Sequence, residues 1–131
     1  MEHFTSLLDG APTGIVDYDL RARDALLEND RSAAITALHS IERALAQDSM
    51  RRDCDLLVLV DSGEHNMRTR SRSSLQRELQ FCIAHTVHHY AIVALLLRAR
   101  GIEVEPGFGL APSTQKHDAS QREETMAQCA R

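Results

Sequence analysis

The sequence predicts a mainly α-helical fold with one short β-hairpin, on three observations. Residues 30–47 and 73–101 place apolar side chains at i, i+3, i+4 and i+7, the repeat of one helix face. DLLVLVD, from Asp55 to Asp61, is short, aliphatic and β-branched and is followed by Ser62-Gly63, as a strand entering a turn would be. Aromatic residues are scarce, with two Tyr, three Phe and no Trp, which suits small helical packing units better than an aromatic-rich sandwich.

Met1 to Asp9 carries Phe4, Leu7 and Leu8 at helical spacing, and Gly10 with Pro12 marks its stop. No N-cap residue precedes these positions, so the chain is expected to start inside a helix, with the first helix truncated. Ala11 to Asn29 holds Pro12, Gly14 and a dense set of charges, and is expected to be an ordered connector with at most a short helical turn. Asn29 or Asp30 caps the next helix, in which Ala34, Ile35, Leu38, Ile41 and Leu45 form the apolar face. The hairpin follows, with its second strand expected near residues 66–70 and His65 in the turn. Ser73 or Ser74 begins the third helix, Ser73 and Gln76 matching a capping box, and Gly101 closes it after roughly 27 residues and about 40 Å. EPGFGLAPST then reads as a loop in which Pro112, Ser113 and Thr114 form a turn or cap. Residues 1–114 make the helical domain, and residues 115–131 a polar tail, weakly helical or disordered.

A chain of 131 residues is the size of one domain and can bury roughly two-thirds of its unfolded surface. With 15 Lys and Arg against 19 Asp and Glu, its formal charge of -4 gives no general attraction to phosphate backbones or anionic lipid, so no nucleic acid partner is expected. The aliphatic run Ala91 to Leu97 falls short of the roughly 20 residues that span a bilayer, and no basic-flanked apolar leader opens the chain. No membrane association and a cytoplasmic location are the expectation. Cys54, Cys82 and Cys129 are odd in number and widely spaced, as reduced thiols would be.

The third helix carries the chemistry. FCIAHTVHHYAIVALLLRARG sets His85, His88 and His89 inside an apolar run. At 100° per residue, His85 and His89 fall within the arc of Leu79, Cys82, Ile83, Tyr90, Val93, Leu96 and Leu97, while His88 lies near its edge and sees more water. Two histidines at i, i+4 bring their rings to one side, where both can ligate one metal ion completed by water or a third group. The competing reading is a pair of neutral core histidines, each satisfied by a carbonyl or carboxylate. HTVHH has no Glu after its first His, so the general base of the His-Glu-x-x-His proteases is absent. Glu78 is expected to pair with Arg21 or Arg23, Cys82 to fill the core, His39 to be a surface or boundary residue at the edge of its helix's apolar face, and His65 and His117 to be solvated. Tyr18, Asp19, Arg21, Arg23 and Asp24 are expected to form an ion-paired corner holding the connector.

RELQFCIAHTVHHYAIVALLLRARG, with GFGLAPST after it and VDYDLRARD before the second helix, resembles the DinB-like superfamily, in an uncharacterised branch, from about His3 to Thr114. The resemblance implies a four-helix bundle, here with its first helix truncated and a short β-hairpin insertion, holding a divalent metal ion, zinc or nickel, on three histidines. Two of these map onto His85 and His89, and His3 is the N-terminal candidate for the third. It further implies a metal-dependent thiol transferase acting on a small-molecule thiol or electrophile, since an open metal position stabilises a thiolate near neutral pH. The alternative is a non-catalytic structural or interaction protein with an incomplete metal site, pairing as a homodimer.

Overall fold

The computed structural model describes residues 1–20, 24–61 and 68–129. The order of elements is α1 (Glu2–Gly10), a 3-10 turn (Ala11–Thr13), β1 (Ile15–Asp17), α2 (Ala25–Asn29), α3 (Arg31–Leu45), a second 3-10 turn (Asp48–Met50), β2 (Asp55–Asp61), β3 (Arg68–Ser74), α4 (Leu75–Ala99) and α5 (Pro112–Cys129). The chain divides into two units, Met1–Cys82 and Ile83–Arg131, and α4 runs through the boundary.

The first unit is built on a three-stranded sheet of order β1-β2-β3, in which β1 pairs parallel to β2 and β2 antiparallel to β3. The fold expected from the sequence, a DinB-like four-helix bundle with an inserted hairpin, is corrected here. The strands are not an insertion, because Val16, Leu56 and Val58 lie in the core with Leu7, Tyr18, Met50, Leu75 and Cys82. A parallel pair needs a crossover between its strands, and α2 and α3 supply it. β1 lies in the stretch expected to be a connector. It is three residues long, and its register, Val16 opposite Val58, depends on a partner about forty residues away, so no local pattern announces it.

Local chemistry sets the breaks. Asp17 accepts from the amides of Asp19 and Leu20 at 3.0 and 3.2 Å, an Asx turn that ends β1. Asp24 caps α2 through the Leu26 amide, and Asp30 caps α3 through those of Ser32 and Ala33. β2 is apolar on both faces, with Leu56 and Val58 buried and Leu57 and Leu59 half-buried, as a central strand should be. β3, RTRSRSS, is a polar edge strand that discourages further pairing, and it extends four residues beyond the strand expected at 66–70. Residues 62–67, including His65, lie outside the described residues.

α4 follows β3 without a loop. The expected Ser73–Gln76 capping box does not form; Asp53 accepts from the Gln76 amide at 2.9 Å and from Ser74 at 3.1 Å, while Ser74 takes the Arg77 amide. The Gln76 amide holds the Asp53 carboxyl below its ordinary value. At the other end, Ile102 donates to the Leu97 carbonyl and Gly101 to that of Arg98, a Schellman motif with Gly101 at φ 72°. Nothing lies near the position of a Cβ at Gly101, so Gly101→Ala is expected to cost only the left-handed backbone penalty, about 1 kcal/mol. A urea midpoint unchanged by that substitution would show the motif to be dispensable.

In the second unit, the sequence after Gly101 folds back with Phe108 stacked on Tyr90 at 5.0 Å, and α5 starts at Pro112, whose missing amide hydrogen costs nothing at a first helical position. The polar tail is thus a helix whose beginning falls in the expected loop. PSTQKHDASQREETMAQC has no apolar face to lay on α4, and among the described residues of this unit Ala94 is the buried hydrophobic one.

Candidate functional site

The sequence directs attention to His85 and His89, and the structure brings them together. Their Nε2 atoms stand 3.0 Å apart with the rings edge to face, a hydrogen bond in which one imidazole donates and the other accepts. His89 and His88 are exposed and His85 is half-buried. The apolar arc expected to bury them is itself largely exposed from Ile83 to Leu96, because the polar α5 offers nothing to cover it. His3 sits on α1 in the first unit, its ring edge-on to Tyr18 at 5.4 Å and to Phe81 at 5.7 Å. No group of three or more His, Cys, Asp or Glu side chains suited to a metal ion occurs among the described residues. The three-histidine group expected from the resemblance, His85, His89 and His3, is therefore not assembled among the described residues.

The first unit holds a second constellation, assembled from residues far apart in the sequence. Glu78, 6% exposed, accepts hydrogen bonds from the Tyr18 hydroxyl at 2.8 Å and from the Ser73 hydroxyl. Its expected partners, Arg21 and Arg23, lie outside the described residues. Two hydroxyls therefore meet a buried carboxylate, one from the residue just after β1 and one from near the end of β3, and tie both strands to the first turn of α4. Of the expected corner, Asp19 accepts from the Asp61 amide and lies 4.0 Å from Arg68, which also holds Asp17 at 2.6 Å. A signal for Glu78 was present, since it shares the apolar arc of Leu79 and Cys82, where a lone acid needs hydrogen-bond donors.

Around this bond the rings of His3, Tyr18 and Phe81 cluster, His3 edge-on to the other two and Tyr18 tilted against Phe81 at 5.5 Å. Tyr18 is buried, while His3 and Phe81 are half-buried. Beside Glu78 runs an open cleft of about 490 Å³ lined also by Val58, Ser71, Arg72, Ser73, Ser74 and Arg77. Burial, reinforced by the Glu78 carboxylate, pushes the Tyr18 hydroxyl well above its ordinary value, so it is a proton donor and never a base at neutral pH. Burial likewise pushes the Cys82 thiol up, against the opposing hydrogen bond of Tyr18, which makes it a core residue and not a nucleophile.

Both groups hold their protons more tightly folded than unfolded. Their contribution to stability is complete below pH 9.0, the ordinary value of the thiol, and is lost as pH rises from there through the folded values. Melting temperature is expected to fall above pH 9 in the parent chain, and less steeply in Tyr18→Phe with Cys82→Ala. Identical alkaline slopes in the two proteins would contradict this assignment.

No protein-family model matches the chain, and no solved structure matches it. Among curated proteins it is similar to FK506-binding protein 5 of Rhizopus delemar, with 35% identity over 106 residues that cover 79% of this chain and 27% of the relative. The chain thus spans about a quarter of the length of the curated relative it matches. This likeness overturns the DinB-like resemblance, and with it the helical-bundle, metal-dependent thiol transferase reading and its incomplete-site alternative.

Proposed function

We propose that the chain is a binding segment of the FK506-binding kind, which takes up an apolar ligand against the aromatic corner of His3, Tyr18 and Phe81. The observation that carries the reading is the likeness to a protein named for FK506 binding over about four-fifths of this chain. The corner supplies what such a ligand needs: ring walls for apolar contact, and a small number of fixed polar groups, Tyr18, Ser73 and Glu78, beside them. Because the Tyr18–Glu78 bond fixes the Tyr18 ring, little ordering is left for the ligand to supply.

The catalytic form of the same reading is a peptidyl-prolyl isomerase. Rotation about an X-Pro bond crosses a barrier of about 20 kcal/mol, and a water-poor aromatic wall beside the prolyl ring favours the twisted, less polar amide. Such activity would use the same corner and would be blocked by FK506.

Calorimetric titration of the purified chain with FK506 tests the proposal. Saturable one-to-one binding is expected, weakened at least about tenfold, or roughly 1.4 kcal/mol, by Phe81→Ala. Absence of binding, or binding indifferent to Phe81→Ala with the fold intact, would refute it. Isomerase activity untouched by saturating FK506 would refute a shared site.

A further inference from the structure

α4 carries a second surface that neither the aromatic corner nor its ligand uses. His85, His89, Ile92, Val93 and Leu96 follow one another at i, i+4, i+7, i+8 and i+11, which places them in a stripe about 100° wide, flanked by Tyr90. Leu96 is 60% exposed, and Ile92, Val93 and Tyr90 are each exposed by more than two-fifths. A stripe of this spacing is the seam by which two helices pack at a shallow angle.

We propose that this face of α4 is the contact between two copies of the chain. Charge selects the partner. From Gln80 to Leu97 there is no Asp, Glu, Lys or Arg. A twofold interface sets each patch against itself, so a charged face would meet its own sign; this one meets none. The one polar pair in the stripe is already joined, because His85 and His89 hydrogen-bond to each other and lose less on leaving water. Area sets the strength. The exposed parts of these side chains amount to on the order of 500 Å² on each copy, or about 1,000 Å² for the pair, just below the roughly 1,200 Å² at which stable specific interfaces begin, which fits a weak, reversible dimer. A lipid surface is the rival occupant, since α4 is by length and composition apolar enough to cross a membrane.

Sedimentation equilibrium from about 1 to 200 µM, spanning the expected dissociation constant, tests the contact. A reversible dimer is expected, weakened at least about tenfold by Leu96→Glu and unchanged by Leu95→Glu. Leu95 is 67% exposed but lies about 100° round the helix, so the comparison separates the stripe from general apolarity. Circular dichroism should show equal helicity in all three proteins; if Leu96→Glu loses helix, Ile92→Gln is read in its place. A monomer across the whole range would overturn the proposal, as would equal effects of the two glutamates. So would a chain that is monomeric in buffer but floats with phosphatidylcholine vesicles, which would assign the face to lipid. The outcome is independent of FK506 binding, which uses residues of the first unit.

Discussion

Glu78→Ala is expected to destabilise the first unit by about 3 kcal/mol, read as a lowered urea midpoint at unchanged slope. Two losses combine. The Tyr18 and Ser73 hydroxyls lose their shared acceptor while Tyr18 stays 5% exposed, and each stranded donor costs about 1 to 3 kcal/mol. The removed side chain also leaves a void beside Tyr18 and Cys82, which adds a packing term. Removing the donors together with the acceptor should reverse most of this, because no polar atom is then left without a partner. Tyr18→Phe, Ser73→Ala and Glu78→Leu combined are therefore expected to be more stable than Glu78→Ala alone. If the single and triple variants melt alike, the hydroxyl–carboxylate bonds do not hold the strands to α4.

Gly10→Ala is expected to cost about 2 kcal/mol or more, against the sign that helix propensity alone would give. Gly10 ends α1, where alanine would ordinarily gain up to about 1 kcal/mol. A Cβ there would fall on the Ile15 carbonyl oxygen and stand 2.9 Å from the Val16 Cα. Both neighbours are backbone of β1, pinned by the Gly14 carbonyl accepting from Leu57 and by the parallel register with β2. Relief requires moving the strand, and overpacking of this kind costs about 1 to 3 kcal/mol, occasionally more. The steric term wins. A thermal midpoint equal to or above that of the parent would mean that α1 does not lie against β1 as described.

What could be read from the sequence was what is local. α1 follows from Phe4, Leu7 and Leu8, β2 from an aliphatic run, and the end of α4 from Gly101, whose left-handed backbone the structure shows. What could not be read depends on partners far along the chain. β1 is recognisable only by its pairing with Leu57 to Leu59, and β3 hides in a run of Arg and Ser because a polar edge strand needs no apolar alternation. Charge suggests arginine partners for Glu78, and its hydroxyl donors, one of them sixty residues away, follow from no local pattern. The arc of α4 was real as a pattern but not as burial: periodicity tells which side chains share a face, and α5, polar throughout, leaves that face open. The histidine pair was rightly set on one side of the helix, but no third ligand joins it among the described residues.

Where FK506 touches the chain decides most directly between the aromatic corner and any other site. Amide and aromatic resonances recorded through an FK506 titration are expected to shift at His3, Tyr18 and Phe81 and at the adjacent first turn of α4, and to leave the Ile92–Leu96 stripe unmoved. Shifts confined to that stripe, or a spectrum indifferent to the compound, would contradict binding at the corner.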